Sequence, residues 1–305
     1  MRTAARIAIA FALSGISVAA ANAQDPAPVF RAGADVVSVE ASVRQNRRPV
    51  TGLSAADFEL LDNGVAQQIT DVSYEKLPID VTVLLDVSAS VTGAVLDDLR
   101  AALKQLRSDL GTRDRLRLIT FDMRVRRLVD FTDPAAAVDK ALSSINARGS
   151  SAVFDSLAVA LASPAPPGRR QLTVIFSDGQ DSTSISDADT LLDVARRTTP
   201  TVAVVLASAA RQRPASLIRT SSKTAPATVG ALVDRLAGET GGFVVDVDPG
   251  ENLSSAFRRV LEQFRTSYVI YFTPGGVERQ GSHSLELRVK RAKVEVRSRS
   301  GYVWR

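Results

Sequence analysis

Ile79-Asp80-Val81-Thr82-Val83-Leu84-Leu85 runs without a break into Asp86-Val87-Ser88-Ala89-Ser90. The first part is a short apolar run rich in β-branched residues, the pattern of a strand buried on both faces of a parallel sheet. From Val91 to Leu110, apolar residues fall at helical spacing (Val91, Val95, Leu99, Leu103, Leu106, Leu110). A carboxylate and two hydroxyls therefore lie on the turn between a buried strand and a helix. In open α/β sheets, ligands bind in the crevice at the carboxyl ends of the strands. Hard oxygen donors at alternate positions of a tight loop suit a hard divalent cation such as Mg²⁺. Aspartate and serine also serve as ordinary turn and helix-capping residues, so the pentapeptide alone leaves both readings open.

Two more segments bear on the choice. Gln171-Leu172-Thr173-Val174-Ile175-Phe176-Ser177 is a second buried-strand run, ending in Asp178-Gly179-Gln180-Asp181. A carboxylate again falls at the carboxyl end of a strand, beside a glycine that lets the backbone turn. Between the two strands, Arg148-Gly149-Ser150-Ser151-Ala152-Val153-Phe154-Asp155 is a small-residue loop opening a helix. The pattern D-x-S-x-S at Asp86, Ser88 and Ser90, followed by these two loops in this order, resembles the metal-ion-dependent adhesion site of von Willebrand factor type A domains. In that family the middle loop carries a hydroxyl ligand, usually threonine, a few residues before an aromatic-Asp pair. Aligned on Phe154-Asp155, the role falls to Ser151, which keeps the hydroxyl and lacks only a methyl.

The resemblance implies a cation shell of Asp86, Ser88, Ser90, Ser151 and Asp178, some binding directly and others through water. It implies Mg²⁺, with Mn²⁺ or Ca²⁺ as alternatives, and an open position that a carboxylate from a protein partner fills. Catalytic metal sites also keep open positions, so openness alone does not settle the class.

The first residues bear on the compartment. Arg2 and Arg6 precede a short apolar run, Ile7 to Val18, and Ala21-Asn22-Ala23 offers a small-x-small cleavage site before Gln24. Residues 1–23 read as a secretory signal peptide, the run being too short to span a bilayer. No later segment is apolar and long enough to cross, so the mature chain is expected to be exported, periplasmic or extracellular. There is no cysteine, which excludes disulfides, thiolate catalysis and zinc-thiolate sites. Net charge is +5; 38 basic residues less the two leader arginines, against 33 acidic, leaves +3. That mild excess, with few aromatics, gives no support for nucleic acid. The late basic residues Arg288, Lys290, Arg291, Lys293, Arg297 and Arg299 alternate with apolar ones and read as the solvated face of a strand or hairpin.

The expected fold class is α/β: a doubly wound, mostly parallel, Rossmann-like sheet inserted in a small β-sandwich made by the two flanks. Buried strands recur at 81–86, 115–121, 171–177, 201–207 and 242–246. Helical patterns occupy 91–110, 134–145, 152–163, 187–198, 228–239 and 250–264. Arg124 to Phe131 alternates and reads as an antiparallel edge strand, while 208–227 reads as an exposed, mobile loop. In the first flank, 30–78, Asp35 to Arg44 alternates as a half-buried strand. Phe58 to Asp62, the turn Asn63-Gly64 and Gln67 to Val72 read as a hairpin. The second flank, 265–305, holds strands at 267–272, 283–290 and 293–298, closing on Tyr302 and Trp304. Neither flank has enough strands to bury a core alone, so the two should share one β domain around a type A domain at 79–264. Arg48-Pro49-Val50-Thr51-Gly52-Leu53, Asp57-Phe58 and Asp62-Asn63-Gly64-Val65-Ala66-Gln67 resemble the segment that precedes this domain in bacterial exported proteins of the type A group.

A binding module is the function this reading implies. A metal-dependent, phosphatase-like hydrolase is the sharpest rival, since an aspartate after a hydrophobic strand is also how such enzymes present a nucleophile. They need a second aspartate two residues on as general acid, and position 88 is serine. His283, the only histidine, reads as a surface residue of a flank strand, which leaves no Ser-His-Asp set. Thr220-Ser221-Ser222-Lys223 lacks the helix that a serine-lysine motif requires. The remaining alternative is a metal-free scaffold, with Asp181 drawing the loop after Asp178 into another geometry.

Overall fold

The computed structural model describes residues 36–74, 77–91, 93–134, 136–163, 168–177, 179–216 and 226–304. The leader at 1–23 and the motif at Thr220–Lys223 lie outside the described residues, as does Asp178.

Strand β1 (Val37–Gln45) alternates as its sequence demands, with Val39, Ala41 and Val43 inward. A tight turn leads to the short β2 (Arg48–Pro49). β3 (Phe58–Asp62) and β4 (Val65–Gln67) form a hairpin whose turn, Asn63-Gly64, has positive φ at both positions, 48° and 81°, the conformation that Asn-Gly adopts at least cost. The second arm expected at 67–72 is a correction: the arm is β4, and the chain then crosses to another sheet as β5 (Ile69–Tyr74). Crossing lets Ile69, Val72 and Tyr74 pack against the same sandwich core from the opposite side.

The central region alternates strand and helix because its buried runs alternate with amphipathic ones. In order it comprises β6 (Ile79–Asp86), α1 (Ala94–Asp109), β7 (Arg115–Phe121), β8 (Val125–Val129), α2 (Ala136–Ser144), α3 (Val153–Ala162), β9 (Arg170–Phe176), α4 (Ala188–Arg197), β10 (Thr201–Ala207), α5 (Val229–Thr240), β11 (Phe243–Val247) and α6 (Leu253–Arg265). The sheet has strand order β11-β10-β9-β6-β7-β8 and is parallel except for β8, the antiparallel edge hairpinned to β7. β6 is buried at every position and lies in the middle. Val81, Val83 and Leu85 face a core closed by Leu103 of α1 and Phe257 and Phe264 of α6. On the other face, Leu84 and Ile175 pack with Leu157 of α3, Leu191 of α4 and Leu232 of α5. Helices cover both faces, which is the doubly wound arrangement.

After α6 the chain returns to the first flank as β12 (Tyr268–Phe272), β13 (Gly281–Val289), β14 (Glu295–Ser298) and β15 (Gly301–Trp304). One sheet has the order β14-β1-β12-β5 with β2 beside β1, and the other β15-β13-β3-β4. Strands of both flanks thus pair directly: β12 lies between β1 and β5, and β13 pairs with β3. Tyr268, 0% exposed, sits edge-on to Phe58 and donates its hydroxyl to Val50 O at 2.8 Å.

Three expectations are corrected by this packing. His283 is no surface residue; it is 4% exposed, its Nδ1 lies 2.8 Å from Asp62 Oδ1, and Tyr302 donates to Asp62 Oδ2 at 2.8 Å. The basic late segment is not uniformly solvated: Arg299 is 7% exposed and donates to Thr198 O and Arg196 O at the carboxyl end of α4, where the helix dipole favours a cation. Burial lowers its pKa to about 10. The segment expected as an exposed loop begins with a 3-10 turn, Ser208–Gln212, and Ala210 and Ala215 are buried in the α3–α5 core. A second buried arginine, Arg170 at the start of β9, joins the sheet domain to the sandwich. It donates to both Glu40 oxygens (2.9 and 2.8 Å) and to Phe264 O and Ser267 Oγ.

Candidate functional site

Asp80 and Asp86, at opposite ends of β6, are 1% and 0% exposed. Asp80 is neutralised by two guanidiniums, Arg115 and Arg169. Asp86 has no ion pair among the described residues. Its carboxylate accepts instead from neutral groups: Ser88 N–H at 2.9 Å, Ser177 Oγ at 2.8 Å, and Ser151 Oγ at 3.1 and 3.2 Å from the two oxygens. Burial raises the Asp86 pKa, and the hydrogen bonds from Ser88, Ser177 and Ser151 offset that only in part. A buried carboxylate without a countercharge is costly unless something cationic joins it.

Each donor is placed by its element. β6 ends at Asp86, and Val87 N–H still reaches Phe121 O of β7 at 2.8 Å, holding the turn to the sheet. Ser88 is 4% exposed, its hydroxyl lies 3.0 Å from the Ser90 hydroxyl, and Ser90 is exposed at the rim. The 148–152 segment is strapped across this turn, with Arg148 N–H on Val87 O (2.8 Å) and Gly149 O accepting Ala89 N–H (2.9 Å). This delivers Ser151, distant in sequence and 6% exposed, onto Asp86. Of the five expected site residues, the structure therefore brings together Asp86, Ser88, Ser90 and Ser151.

Ser177 escaped the sequence reading. It is 3% exposed, bonds to Asp86, and accepts Gly179 N–H at 3.0 Å. The signal was strand order: β9 pairs with β6 in a register that sets Phe176 beside Leu85, so position 177 must adjoin Asp86. Gly179 follows at φ +74°, and a Cβ there would lie 2.4 Å from Val229 Cγ1, so a larger residue needs the Val229 side chain to move and is strained by the positive φ as well. Asp181 has its own task. It is 1% exposed, and its carboxylate accepts from Phe154 N–H, Ser184 N–H and Ser184 Oγ, tying this loop to the start of α3. Ser182 adds three more ties to Ser151: its hydroxyl accepts Ser151 N–H and donates to Ser151 O, and its N–H donates to the same oxygen.

The donor set fits a hard divalent cation. It is oxygen only, rich in neutral hydroxyls, and built around one uncompensated carboxylate. No group of three or more His, Cys, Asp or Glu that could hold a metal ion occurs among the described residues.

The family model of the von Willebrand factor type A domain matches residues 80–238. No curated protein matches the chain in sequence. Among solved structures, the chain is similar to an aerotolerance-related membrane protein of Bacteroides fragilis at 17% identity, covering 61% of this chain and 98% of that one with a TM-score of 0.47. It is similar to a von Willebrand factor type A protein of Catenulispora acidiphila at 12% identity, covering 90% of this chain and 75% of that one with a TM-score of 0.47. It is also similar to proximal thread matrix protein 1 from the mussel byssus, solved with a zinc-occupied MIDAS motif, at 13% identity, covering 65% of this chain and 48% of that one with a TM-score of 0.46. The family model covers more than half of the chain, from the second residue of β6 to the last turns of α5, and the chain belongs to the von Willebrand factor type A domain family.

Proposed function

We propose that this protein is an exported binding module that engages a carboxylate of a partner protein through a divalent cation. Domains of this family are in general interaction modules, not enzymes. The single observation that carries the metal reading is the contrast along β6, where Asp80 has two arginines and Asp86, among the described residues, has only hydroxyls and an N–H. Asp86, Ser88, Ser90 and Ser151 would hold the cation, with Asp178 as the fifth residue of the set. A bound Mg²⁺, or Mn²⁺ or Ca²⁺, would supply a positive centre with an open position for an anionic oxygen. The chain's own part is to orient the shell. Ser177 and Ser88 N–H fix the Asp86 carboxylate, and the ties between Ser151 and Ser182 fix the third loop. A shell of neutral hydroxyls leaves most of the cation's field uncancelled, so a partner carboxylate gains more than water would.

The division that goes with this function is a leader at 1–23, flanks at 30–78 and 265–305, and the type A domain at 79–264. Export rests on the leader's composition. Among the described residues, no helix is long and apolar enough to cross a membrane. The test is retention of a partner from periplasmic or extracellular extract by the immobilised mature chain, with and without chelator and with Asp86→Asn as control. The expected result is cation-dependent capture that the variant loses. A partner held equally well in excess chelator would sink the mechanism.

A further inference from the structure

The sandwich gathers basic residues from both flanks at one place. Arg44 of β1 lies opposite Glu295 of β14, so the β1–β2 turn at 46–47 and the 290–294 connection that feeds β14 lie side by side. The first brings Arg44, Arg47 and Arg48, and the second Lys290, Arg291, Lys293 and Arg297. All but Arg44 and Arg297 are exposed, and Arg47, Arg48, Arg291 and Lys293 have no ion pair among the described residues. Two acids of this tip stand against them. Glu295 lies 3.2 Å from Arg297, and the Asp57 carboxylate, near Lys290, is held by Ser54 N–H and Ser54 Oγ at 2.8 Å each. The acids further back are engaged elsewhere, Glu40 with Arg170 and Glu286 with Arg288. Burial first, and then the Arg297 charge, lower the Arg44 pKa, as a crowding of cations does.

The backbone of this tip is one that folding alone does not favour. Asn46 and Arg47 both have positive φ, 51° and 65°, and so has Lys293, at 59°. The same sandwich turns from β3 to β4 with Asn63-Gly64, whose glycine takes a positive φ with no Cβ to clash. Here a long cation occupies the strained position instead, and Arg44 donates to Arg47 O at 2.9 Å to hold the turn. Strain kept at an exposed turn points to a use for the side chain. Beside it opens a hollow of about 640 Å³ lined in part by Gln45, Asn46, Arg48, Thr51 and Arg291. Two guanidiniums with amides and a hydroxyl suit a phosphate, whose oxygens accept paired N–H bonds. Residues 44–51 and 290–297 include no aromatic, so the tip offers nothing on which nucleobases could stack. We propose that this tip docks on an anionic phospholipid surface, with Arg48 and Arg291 holding a headgroup phosphate and Arg47 and Lys293 adding charge at the rim. The site is separate from Asp86 and needs no cation.

Co-sedimentation of the mature chain with vesicles tests it, using phosphatidylcholine alone or with phosphatidylglycerol added. Binding should require the anionic lipid and fall as salt rises. Arg48→Gln with Arg291→Gln should weaken it about thirtyfold, each basic residue being worth about 1 kcal/mol at such a surface. Arg47→Gly should weaken it about fivefold without lowering Tm, because glycine accepts the positive φ; a purely structural role for Arg47 would not part the two readouts. Arg197→Gln, on an exposed position of α4, should leave binding unchanged. Should the double variant fail to fold, Arg47→Gly and Lys293→Gly carry the test, and each must weaken binding. Equal binding to both vesicles overturns the proposal, as does a folded Arg48/Arg291 variant that binds like the wild type. Tighter binding to duplex DNA than to the anionic vesicles overturns it in favour of nucleic acid. Binding that survives chelator and Asp86→Asn supports it whether or not Asp86 holds a metal. Binding lost under either condition overturns it, since the lipid would then sit on the cation.

Discussion

Asp86→Asn separates the cost of a buried charge from the gain of binding a cation. The side chain is 0% exposed and surrounded by hydroxyls and one N–H. Burial raises its pKa. A group whose folded pKa lies above the unfolded one contributes stability in full below the unfolded value, about 3.9 for aspartate. That contribution is lost as pH rises through the folded value. Wherever Asp86 is ionised, the metal-free fold holds a buried carboxylate with no ion pair among the described residues. Asparagine removes the charge, its oxygen can still accept from Ser88 N–H, and the serine hydroxyls can turn to accept from its amide. In excess chelator at neutral pH the variant should melt no lower than the wild type. Cation reverses the order: at one hundred times Kd it stabilises the wild type by about 2.7 kcal/mol. For a chain of this size that is roughly 5–10 °C in Tm. Scanning calorimetry of the mature chain in chelator and in Mg²⁺ reads both quantities. A variant whose Tm rises with cation as much as the wild type's would refute the assignment. So would a variant melting well below the wild type in chelator, for Asp86 would then serve the fold through its hydrogen bonds.

Ser151→Thr should keep the cation-dependent rise in Tm, whereas Ser151→Ala should move the metal titration to higher concentration while costing the metal-free fold about 1 kcal/mol, the worth of one hydrogen bond. Arg170→Met should destabilise by about 3–5 kcal/mol in urea unfolding, because it strands Glu40 and the carbonyls ending α6. Adding Glu40→Met should recover most of that, and a double variant no better than the single would show that the pair is not the joint. His283→Ala should cost about 1–3 kcal/mol by leaving Asp62, 0% exposed, with Tyr302 alone. It should leave the metal titration unchanged, since His283 lies in the sandwich.

The central sheet was legible because its signals are local. Strands such as β6 and β9 are continuous apolar runs, and the stripes of α1 and α6 repeat at helical spacing. The Asp86–Ser90 turn was legible for the same reason. What failed depended on partners distant in sequence. Nothing beside His283 in the chain shows Asp62, which only the β3–β13 pairing supplies. Ser177 takes its role from the strand next to it, which its own segment does not reveal. The break between β4 and β5 is hidden because no glycine or proline separates Gln67 from Ile69, and only the sandwich assigns the two strands to different sheets. Ala210 and Ala215 looked like loop residues, since small side chains carry no periodic signal, yet they fill the α3–α5 core.

By itself the sequence determined the strand-and-helix alternation, the polar turn that ends β6 and the need of each flank for the other. Periodicity and unburied apolar faces are properties of short segments. Only the tertiary structure decided that the two aspartates of β6 differ in kind. Asp80 meets Arg115 and Arg169 because β7 and the residue before β9 arrive at that end of the sheet. Asp86 meets serines because the 148–152 segment and the end of β9 arrive at the other. A carboxylate's charge is written in the chain, but whether it is neutralised depends on which distant residues the fold brings within hydrogen-bonding distance.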